Sequence, residues 1–85
     1  MKLSGKIALI TGGSRGIGFA TAKIMSENGA TVVITGKDSK RLEKSVLKIP
    51  NSIGFVADIR KTDKVKNVVR KTIEKFGKLD ILVNN

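Results

Sequence analysis

The 85-residue chain contains no cysteine and no histidine. Without cysteine, neither a disulfide framework nor a thiolate metal site can form, and a reducing compartment is favoured. Without histidine, the chain also lacks the commonest general base and metal ligand in proteins. The sequence therefore predicts no metal site and favours a cytoplasmic location.

Long apolar runs are also absent. No apolar run approaches the roughly 20 residues that a membrane-spanning helix needs. The first six residues, Met-Lys-Leu-Ser-Gly-Lys, lack the apolar segment of a secretory signal. A chain of this length forms at most one small domain. We therefore expect a single domain without a membrane partner.

Acidic residues are scarce, at 7 against 17 lysines and arginines. Such a balance indicates either an anionic partner, namely nucleic acid or a phosphorylated cofactor, or simply helices with a solvated basic face. The basic residues alternate with a regular apolar period, which favours the solvated face. The aromatic residues are all phenylalanine, and two of the three occupy expected core positions, so a base-stacking platform has little support. Nucleic acid is not a predicted partner.

Four apolar runs alternate along the chain with three amphipathic patterns. The runs predict strands over residues 6–11, 31–36, 53–57 and 79–84, and the helical periods cover about 16–28, 39–49 and 62–76. Apolar strands that alternate with amphipathic helices form a parallel sheet with right-handed crossovers. We predict an α/β fold, a doubly wound parallel sheet of strand order 3-2-1-4, with the third helix alone on one face.

Helix contacts can be predicted from the same periodicity. In the first helix the expected inner stripe is Ile17, Ala20, Ile24 and Met25. In the second helix Ser39 is the expected N-cap and Pro50 the stop signal, with Leu42, Val46 and Leu47 on the buried side.

The first strand runs into Thr11-Gly12-Gly13-Ser14-Arg15-Gly16-Ile17-Gly18, a glycine-rich turn that opens the first helix. Glycines let the backbone approach a ligand, and the helix N-terminus favours negative charge. The Ser14 hydroxyl and the backbone N–H groups near Ile17 and Gly18 can donate to a pyrophosphate, whereas Arg15 faces either the ligand or solvent. The spacing is G-x-x-x-G-x-G, and its place between strand and helix makes it a specific signal.

The end of the second strand carries Thr35, Gly36 and Lys37 where an NAD-binding unit usually offers a carboxylate to the adenosine ribose. Gly36 leaves room, and Lys37 with Arg15 supplies positive charge for a 2′-phosphate. This combination favours NADP(H) over NAD(H). Asp38 can still serve a ribose, and Lys37 can equally be an ordinary loop lysine.

Polar residues also follow the last two strands. Asp58 can accept a hydrogen bond from an adenine amine, with Ile59 packing nearby, or it can simply precede a helix. Asn84 and Asn85 either bridge neighbouring strands or meet a ligand. The sequence leaves open both a ligand-binding and a purely structural role for the residues at the ends of the third and fourth strands.

These motifs together, with Leu82-Val83-Asn84-Asn85, resemble the short-chain dehydrogenase/reductase family, in particular its 3-oxoacyl-carrier-protein reductase-like branch. Of the family's Asn-Asn-Ala-Gly motif only the first two residues are present. The resemblance implies a Rossmann fold and NAD(P)-dependent interconversion of an alcohol and a carbonyl. It implies cofactor contacts from Thr11, Gly12, Ser14, Arg15, Gly16, Ile17, Gly18, Lys37, Asp58, Ile59 and Asn85.

The family's catalytic groups have no counterpart here. A Tyr-x-x-x-Lys pair with a serine and a further asparagine performs the family's chemistry, and this chain contains no tyrosine. We therefore expect residues 1–85 to be the N-terminal, catalytically inactive part of a single Rossmann domain, truncated after strand four. A small carbonyl or alcohol substrate and homo-oligomerisation are expected only of a full-length protein. A free-standing, non-catalytic nucleotide-binding module is the alternative.

Overall fold

A computed structural model describes residues 2–85 as a four-stranded parallel sheet with three helices. The elements in chain order are β1 (Ile7–Thr11), α1 (Gly16–Glu27), β2 (Thr31–Gly36), α2 (Ser39–Lys48), β3 (Ser52–Val56), α3 (Thr62–Phe76) and β4 (Ile81–Asn84). The strand order is β3-β2-β1-β4. The predicted fold class and strand order are confirmed.

The two central strands form the interior because helices cover both faces of the sheet. All five residues of β1 are buried, as are the last five of β2. Leu9, Ile10 and Ile34 are 0 % exposed. Each such side chain stabilises the fold by about 1.5–3 kcal/mol through its removal from water. Continuous apolar runs of this kind are typical of parallel strands.

Alternate residues of the central strands enter two separate cores. Ala8, Ile10, Val32 and Ile34 pack with residues of α1 and α2 on one face. On the other face Leu9 and Val33 pack with α3, and Val68 is the buried residue of that helix in this cluster. The predicted placement of α3 on its own face is confirmed.

The predicted inner stripe of α1 is wrong. Ile17 and Ile24 are 79 % and 58 % exposed, Ala20 is exposed as well, and only Met25 packs against the core. The buried residues are instead Gly18, Ala22 and Ser26. Small residues at this four-residue spacing allow the backbone of α1 to pack closely. The buried face of α1 is therefore the one with small residues, not the one with bulky apolar residues.

Two details of α2 also differ from prediction. Its N-cap is Asp38 rather than Ser39, because the Asp38 carboxylate accepts hydrogen bonds from the first-turn N–H groups of Lys40 and Arg41. Leu47 is 86 % exposed. The predicted stop at Pro50 is confirmed, since α2 ends at Lys48 and Ile49 is extended.

Strand β4 begins at Ile81, two residues later than predicted, because Asp80 makes a different contact with β1. The Asp80 N–H donates to Ile7 O at 2.9 Å, and the Ile7 N–H donates to Asp80 Oδ2 at 2.8 Å. Lys78 Nζ lies 3.1 Å from the same carboxylate. Asp80 therefore fixes the start of the β1–β4 pair.

Acid should weaken this contact. The Ile7 N–H and the Lys78 ammonium lower the pKa of Asp80 in the folded chain. A carboxyl with a lowered folded-state pKa stabilises the fold above its unfolded pKa, near 4, and loses that contribution as the pH falls through the folded-state value. We expect urea unfolding between pH 5 and about 2 to show a steeper loss of stability in the unsubstituted chain than in Asp80→Asn. Glu43→Gln, an exposed neutralisation on α2, is the control. Equal pH slopes for the unsubstituted chain and Asp80→Asn would contradict the assignment.

The β4 edge of the sheet carries exposed apolar surface. Leu82 is 51 % exposed and pairs in register with Leu9, so it lies on the same face of the sheet as α3. Exposed apolar strand edges favour association. We expect the 85-residue chain to be marginally stable and to self-associate in sedimentation velocity, and we expect Leu82→Lys to reduce that association. Leu47→Lys, which replaces an exposed leucine on α2, should leave association unchanged. A cooperative, strictly monomeric transition by circular dichroism and sedimentation would refute the prediction.

Candidate functional site

The largest concentration of predicted site residues lies around a cleft of about 240 Å³ at the C-terminal ends of β1, β2 and β3. Parallel sheets of this topology bind ligands at this edge. The predicted residues that line the cleft are Gly12, Ser14, Arg15, Lys37, Asp58 and Ile59. Thr35, Gly36, Asp38, Arg41, Ala57 and Arg60 complete the lining.

The glycine-rich turn between β1 and α1 packs too closely for side chains. A Cβ on Gly18 would lie 2.4 Å from Gly12 O, and one on Gly13 would lie 2.6 Å from Ile34 Cγ2. At the end of β2, a Cβ on Gly36 would approach Ser14 Oγ to 2.8 Å. The backbone of the turn therefore lies directly against β2 and forms one wall of the cleft.

Two hydrogen bonds fix the turn in place. The Gly12 N–H donates to Thr35 Oγ1 at 3.0 Å, and Ser45 Oγ donates to Ser14 O at 2.6 Å. The Gly12 N–H is thus already paired within the protein. Arg15, the N-cap of α1, forms no side-chain capping bond. The N–H groups of the first turn of α1 therefore remain able to bind an anion.

Thr11 lies beneath the cleft and joins β1 to the end of β4. It is 1 % exposed, and its hydroxyl accepts from the Asn85 N–H at 3.0 Å. The same oxygen lies 3.1 Å from Asn84 Oδ1 and 3.3 Å from Val83 O, the two acceptors within its reach. Thr11 therefore holds the ends of β1 and β4 together, and the Asn84 side chain takes part in the same contact between the two strands.

Asn85 lies over the glycine-rich turn. Its Nδ2 would be 3.3 Å from a Cβ on Gly12 and 2.8 Å from a Cβ on Gly18. The Cδ1 of Ile59 would be 4.0 Å from the same Gly12 Cβ. The ends of β1, β3 and β4 thus converge on Gly12.

The remaining predicted residues lie at the N-terminus of α1. Gly16 and Ile17 are both exposed there, outside the set that lines the cleft, whereas Gly18 is buried behind the turn. The sequence placed Gly16 and Ile17 correctly at the start of α1, but the structure does not bring them into this cleft.

The end of β2 presents cations to the cleft. Lys37 and Arg41 both line it and are exposed. The neighbouring Asp38 accepts from the N–H groups of Lys40 at 3.0 Å and of Arg41 at 3.2 Å through Oδ1. Its carboxylate is thus bound through Oδ1 by the N-terminus of α2, where the helix dipole favours a negative charge.

The end of β3 carries an ion pair. Arg60 donates to Asp58 through its backbone N–H at 3.1 Å, through Nε at 3.0 Å and through Nη2 at 2.9 Å. These contacts hold the pKa of the Asp58 carboxyl well below its usual range, with a smaller contribution from the charge of Lys37. Asp58 is therefore an ionised acceptor.

Sequence reasoning missed Thr35, Arg41, Ala57 and Arg60 as lining residues. Arg41 has a recognisable signal, since the first turn of a helix that follows a parallel strand lies at the C-terminal edge of the sheet. Arg60 has a weaker one, an arginine two positions after a strand-end carboxylate. Thr35 has none, because its contact with Gly12 joins residues 23 positions apart.

Basic residues of α3 lie outside the cleft and are solvated or paired. Lys71 Nζ lies 5.6 Å from the Phe55 ring centroid, and Arg70 pairs with Glu74 at 3.7 Å. In residues 2–85 no cluster of acidic side chains could hold a metal ion, and no helix of that part of the chain is long and apolar enough to cross a membrane.

The sequence model that describes the short chain dehydrogenase family matches residues 6–85, which is nearly the whole chain. The chain belongs to this family. The predicted resemblance is therefore confirmed. Family members bind a nicotinamide dinucleotide, and the fold of this chain is the NAD(P)-dependent oxidoreductase fold of that family.

Individual members of the short-chain dehydrogenase family resemble the chain over their N-terminal portion. The 3-oxoacyl-(acyl-carrier-protein) reductase of Thermotoga maritima is 41 % identical over 90 aligned residues, which cover 100 % of this chain and 36 % of that protein. The L-fucose dehydrogenase of Bos taurus is 37 % identical, with 99 % and 31 % covered. The chain thus spans about a third of the length of these relatives.

A solved structure gives the same correspondence. A short chain dehydrogenase from Burkholderia cenocepacia, in complex with NADP, superposes with a TM-score of 0.93 at 46 % identity, covering 100 % of this chain and 37 % of that one.

Proposed function

We propose that this chain is the NADP(H)-binding part of a short-chain oxidoreductase that interconverts an alcohol and a carbonyl. The observation that carries the proposal is the charge of the cleft at the end of β2. Arg15, Lys37 and Arg41 line it there, and the neighbouring carboxylate, Asp38, is bound by the N-terminus of α2. Among residues 2–85 none of these three cations forms a salt bridge, and Asp38 and Asp58 are already hydrogen-bonded, which suits the 2′-phosphate of NADP(H) better than the bare ribose of NAD(H).

The residues present fit a dinucleotide. A Cβ on Gly36 would lie 2.8 Å from Ser14 Oγ, so the glycine at the end of β2 leaves that space to the Ser14 side chain, which lines the cleft. Ser14 and the first-turn N–H groups of α1 would hold the pyrophosphate. Lys37 and Arg15 would hold the 2′-phosphate, and Asp58 with Ile59 would receive the adenine.

Two threonine side chains hold this arrangement in place through hydrogen bonds within the protein. Thr35 fixes Gly12, and Thr11 links β1 to Asn85. Asn85, which lies over Gly12 and Gly18, would stand beside the nicotinamide half of the dinucleotide. When bound, the nicotinamide supplies or accepts a hydride. We propose no catalytic acid or base within this chain, which contains no tyrosine.

A complete enzyme of this kind would bind its substrate with residues that follow Asn85 in the chain. We therefore propose that residues 1–85 are the N-terminal part of one Rossmann domain, and that a small carbonyl or alcohol is the substrate of the full-length enzyme. Two relatives differ in the cofactor that their structures hold, since the Burkholderia cenocepacia protein is described with NADP and a Brucella melitensis 3-ketoacyl-(acyl-carrier-protein) reductase with NADH. The preference for NADP(H) is thus inferred from the cleft of this chain.

Fluorescence titration of the reduced cofactors tests the proposal. We expect saturable binding of NADPH at least about 10-fold tighter than that of NADH, since charge-assisted hydrogen bonds to a phosphate contribute about 1.5–3 kcal/mol. The NADPH preference should shrink as salt is raised, because the phosphate contacts are exposed. Equal affinities would refute the preference, and the absence of any saturable site would refute the function.

A free-standing nucleotide-binding module is the second candidate, which the absence of tyrosine favours only if 85 residues is the natural length. The coding sequence that follows Asn85 separates the two. Ala-Gly next, followed further on by a serine and Tyr-x-x-x-Lys, would establish the oxidoreductase, whereas a stop codon would favour the module.

A further inference from the structure

The Asp58 carboxylate is held by one neighbouring residue to an unusual degree. Arg60 supplies three donors to it, two from the guanidinium and one from the backbone, at 2.9–3.1 Å. The Asp58 side chain is 25 % exposed and that of Arg60 75 % exposed. Both residues line the cleft.

The three donors from Arg60 occupy most of the acceptor positions of the Asp58 carboxylate. Two oxygens offer about four acceptor positions. Oδ1 accepts from the Arg60 backbone N–H and from Nε, and Oδ2 accepts from Nη2. The one acceptor position left is on Oδ2. Two-nitrogen pairing of arginine with a carboxylate also fixes the plane of the carboxylate, which a lysine ammonium cannot do.

A carboxylate with one free acceptor position and a fixed plane can receive a single N–H donor from one direction. It repels an acceptor presented at the same place, because both groups would carry lone pairs. Arg60 and Lys37 keep the pKa of Asp58 low, so the carboxyl does not carry a proton that it could donate. The pair is therefore suited to distinguish a purine with an exocyclic amine from one with a carbonyl at the same position.

We propose that Arg60 is a positioning residue that orients Asp58 toward the exocyclic amine of adenine, and so sets the preference of the cleft for adenine over purines with a carbonyl at that position. The inference rests on the proposed function, since it concerns the adenine end of the same cofactor site. Arg60 acts on the base through Asp58, whereas Lys37 and Arg15 act on the phosphate.

The test compares NADPH with its hypoxanthine analogue, in which a carbonyl replaces the exocyclic amine of adenine and the adjacent ring nitrogen N1 carries a proton. We expect the unsubstituted chain to bind NADPH about 10-fold more tightly than the analogue. In Arg60→Ala the preference should fall to roughly 2-fold, mainly through weaker NADPH binding, because only the backbone N–H of residue 60 would still hold the carboxylate and its plane would no longer be fixed. Arg60→Lys should lose the preference as well, since it keeps the charge but not the planar contact.

Two further readouts separate positioning from other roles. The ratio of NADPH to NADH affinities should stay unchanged in Arg60→Ala, because the phosphate contacts are elsewhere. Arg70→Ala, which removes an exposed arginine paired with Glu74 on α3, should alter neither ratio. Urea unfolding of each variant confirms that it is folded.

The outcomes decide between the inference and the function on which it rests. Full amine preference in Arg60→Ala, or in Arg60→Lys, would overturn the positioning role while leaving the cofactor site intact. Equal weakening of NADPH and the analogue would overturn it too, because Arg60 would then act only as a charge. Failure of the unsubstituted chain to bind either cofactor would overturn the proposed function itself.

Discussion

Replacement of Gly18 with alanine is expected to destabilise the chain by about 3 kcal/mol and to abolish cofactor binding. A Cβ at this position would lie 2.4 Å from Gly12 O and 2.8 Å from Asn85 Nδ2. The first of these is a backbone atom in a turn that hydrogen bonds already fix, so it cannot move without moving β1 or α1. Overpacking against backbone costs about 1–3 kcal/mol and sometimes more, which is a large fraction of the stability of a small domain.

Urea unfolding followed by circular dichroism measures the stability change, and NADPH titration measures binding. Gly5→Ala is the control, because Gly5 also lacks a Cβ but has open space around it. Gly5 lies outside the cleft, and its φ of +79° makes alanine unfavourable there by about 1 kcal/mol. Gly5→Ala should therefore lower stability modestly and leave NADPH affinity unchanged. A Gly18→Ala variant as stable as Gly5→Ala would show that α1 can withdraw from the sheet, and would contradict the close packing.

Replacement of Lys37 with glutamate is expected to weaken NADPH binding by about 100-fold while changing NADH affinity by less than about 3-fold. The substitution removes a cation from the end of β2 and puts a carboxylate where a 2′-phosphate would lie, so attraction becomes repulsion. A factor of 100 corresponds to about 2.7 kcal/mol. The same carboxylate can accept hydrogen bonds from the ribose hydroxyls of NADH, which is why NADH should suffer little.

Lys66→Glu makes the same charge change on the exposed surface of α3, beside the half-buried Val65 and Val69. It should alter both affinities by less than about 2-fold, because net charge acts weakly at a distance in physiological salt. Parallel losses of NADPH affinity in Lys37→Glu and Lys66→Glu would mean that net charge, and not a local contact, draws the cofactor. Retention of NADPH affinity in Lys37→Glu would assign the phosphate to Arg15 and Arg41 alone.

Positions of the strands and helices were largely predictable because each depends on neighbours along the chain. The apolar run Ile7–Ile10 and the helical period of α3 identify their elements directly, and Pro50 ends α2 as expected. The strand-end rule then located the cleft before any contact was known. The sequence by itself thus determined the fold class, the strand order and the edge of the sheet at which the cleft lies.

Only the tertiary structure decided which side chains do the packing and which face the cleft. Gly18, Ala22 and Ser26, not Ile17 and Ile24, are the buried residues of α1, and a Cβ on Gly18 would already lie 2.4 Å from Gly12 O. Thr35 holds Gly12 across 23 residues of sequence.

The acidic residues beside the cleft acquired their roles in the same way. Asp38 caps α2 and Asp58 binds Arg60, so neither carboxylate forms a salt bridge with Lys37 at the end of β2. Periodicity reports which residues are apolar, whereas these contacts depend on the distances between segments that only folding brings together. For this protein the sequence determined the fold and the strand ends at which we propose that a dinucleotide binds, and the packed structure determined which of the groups there are already paired.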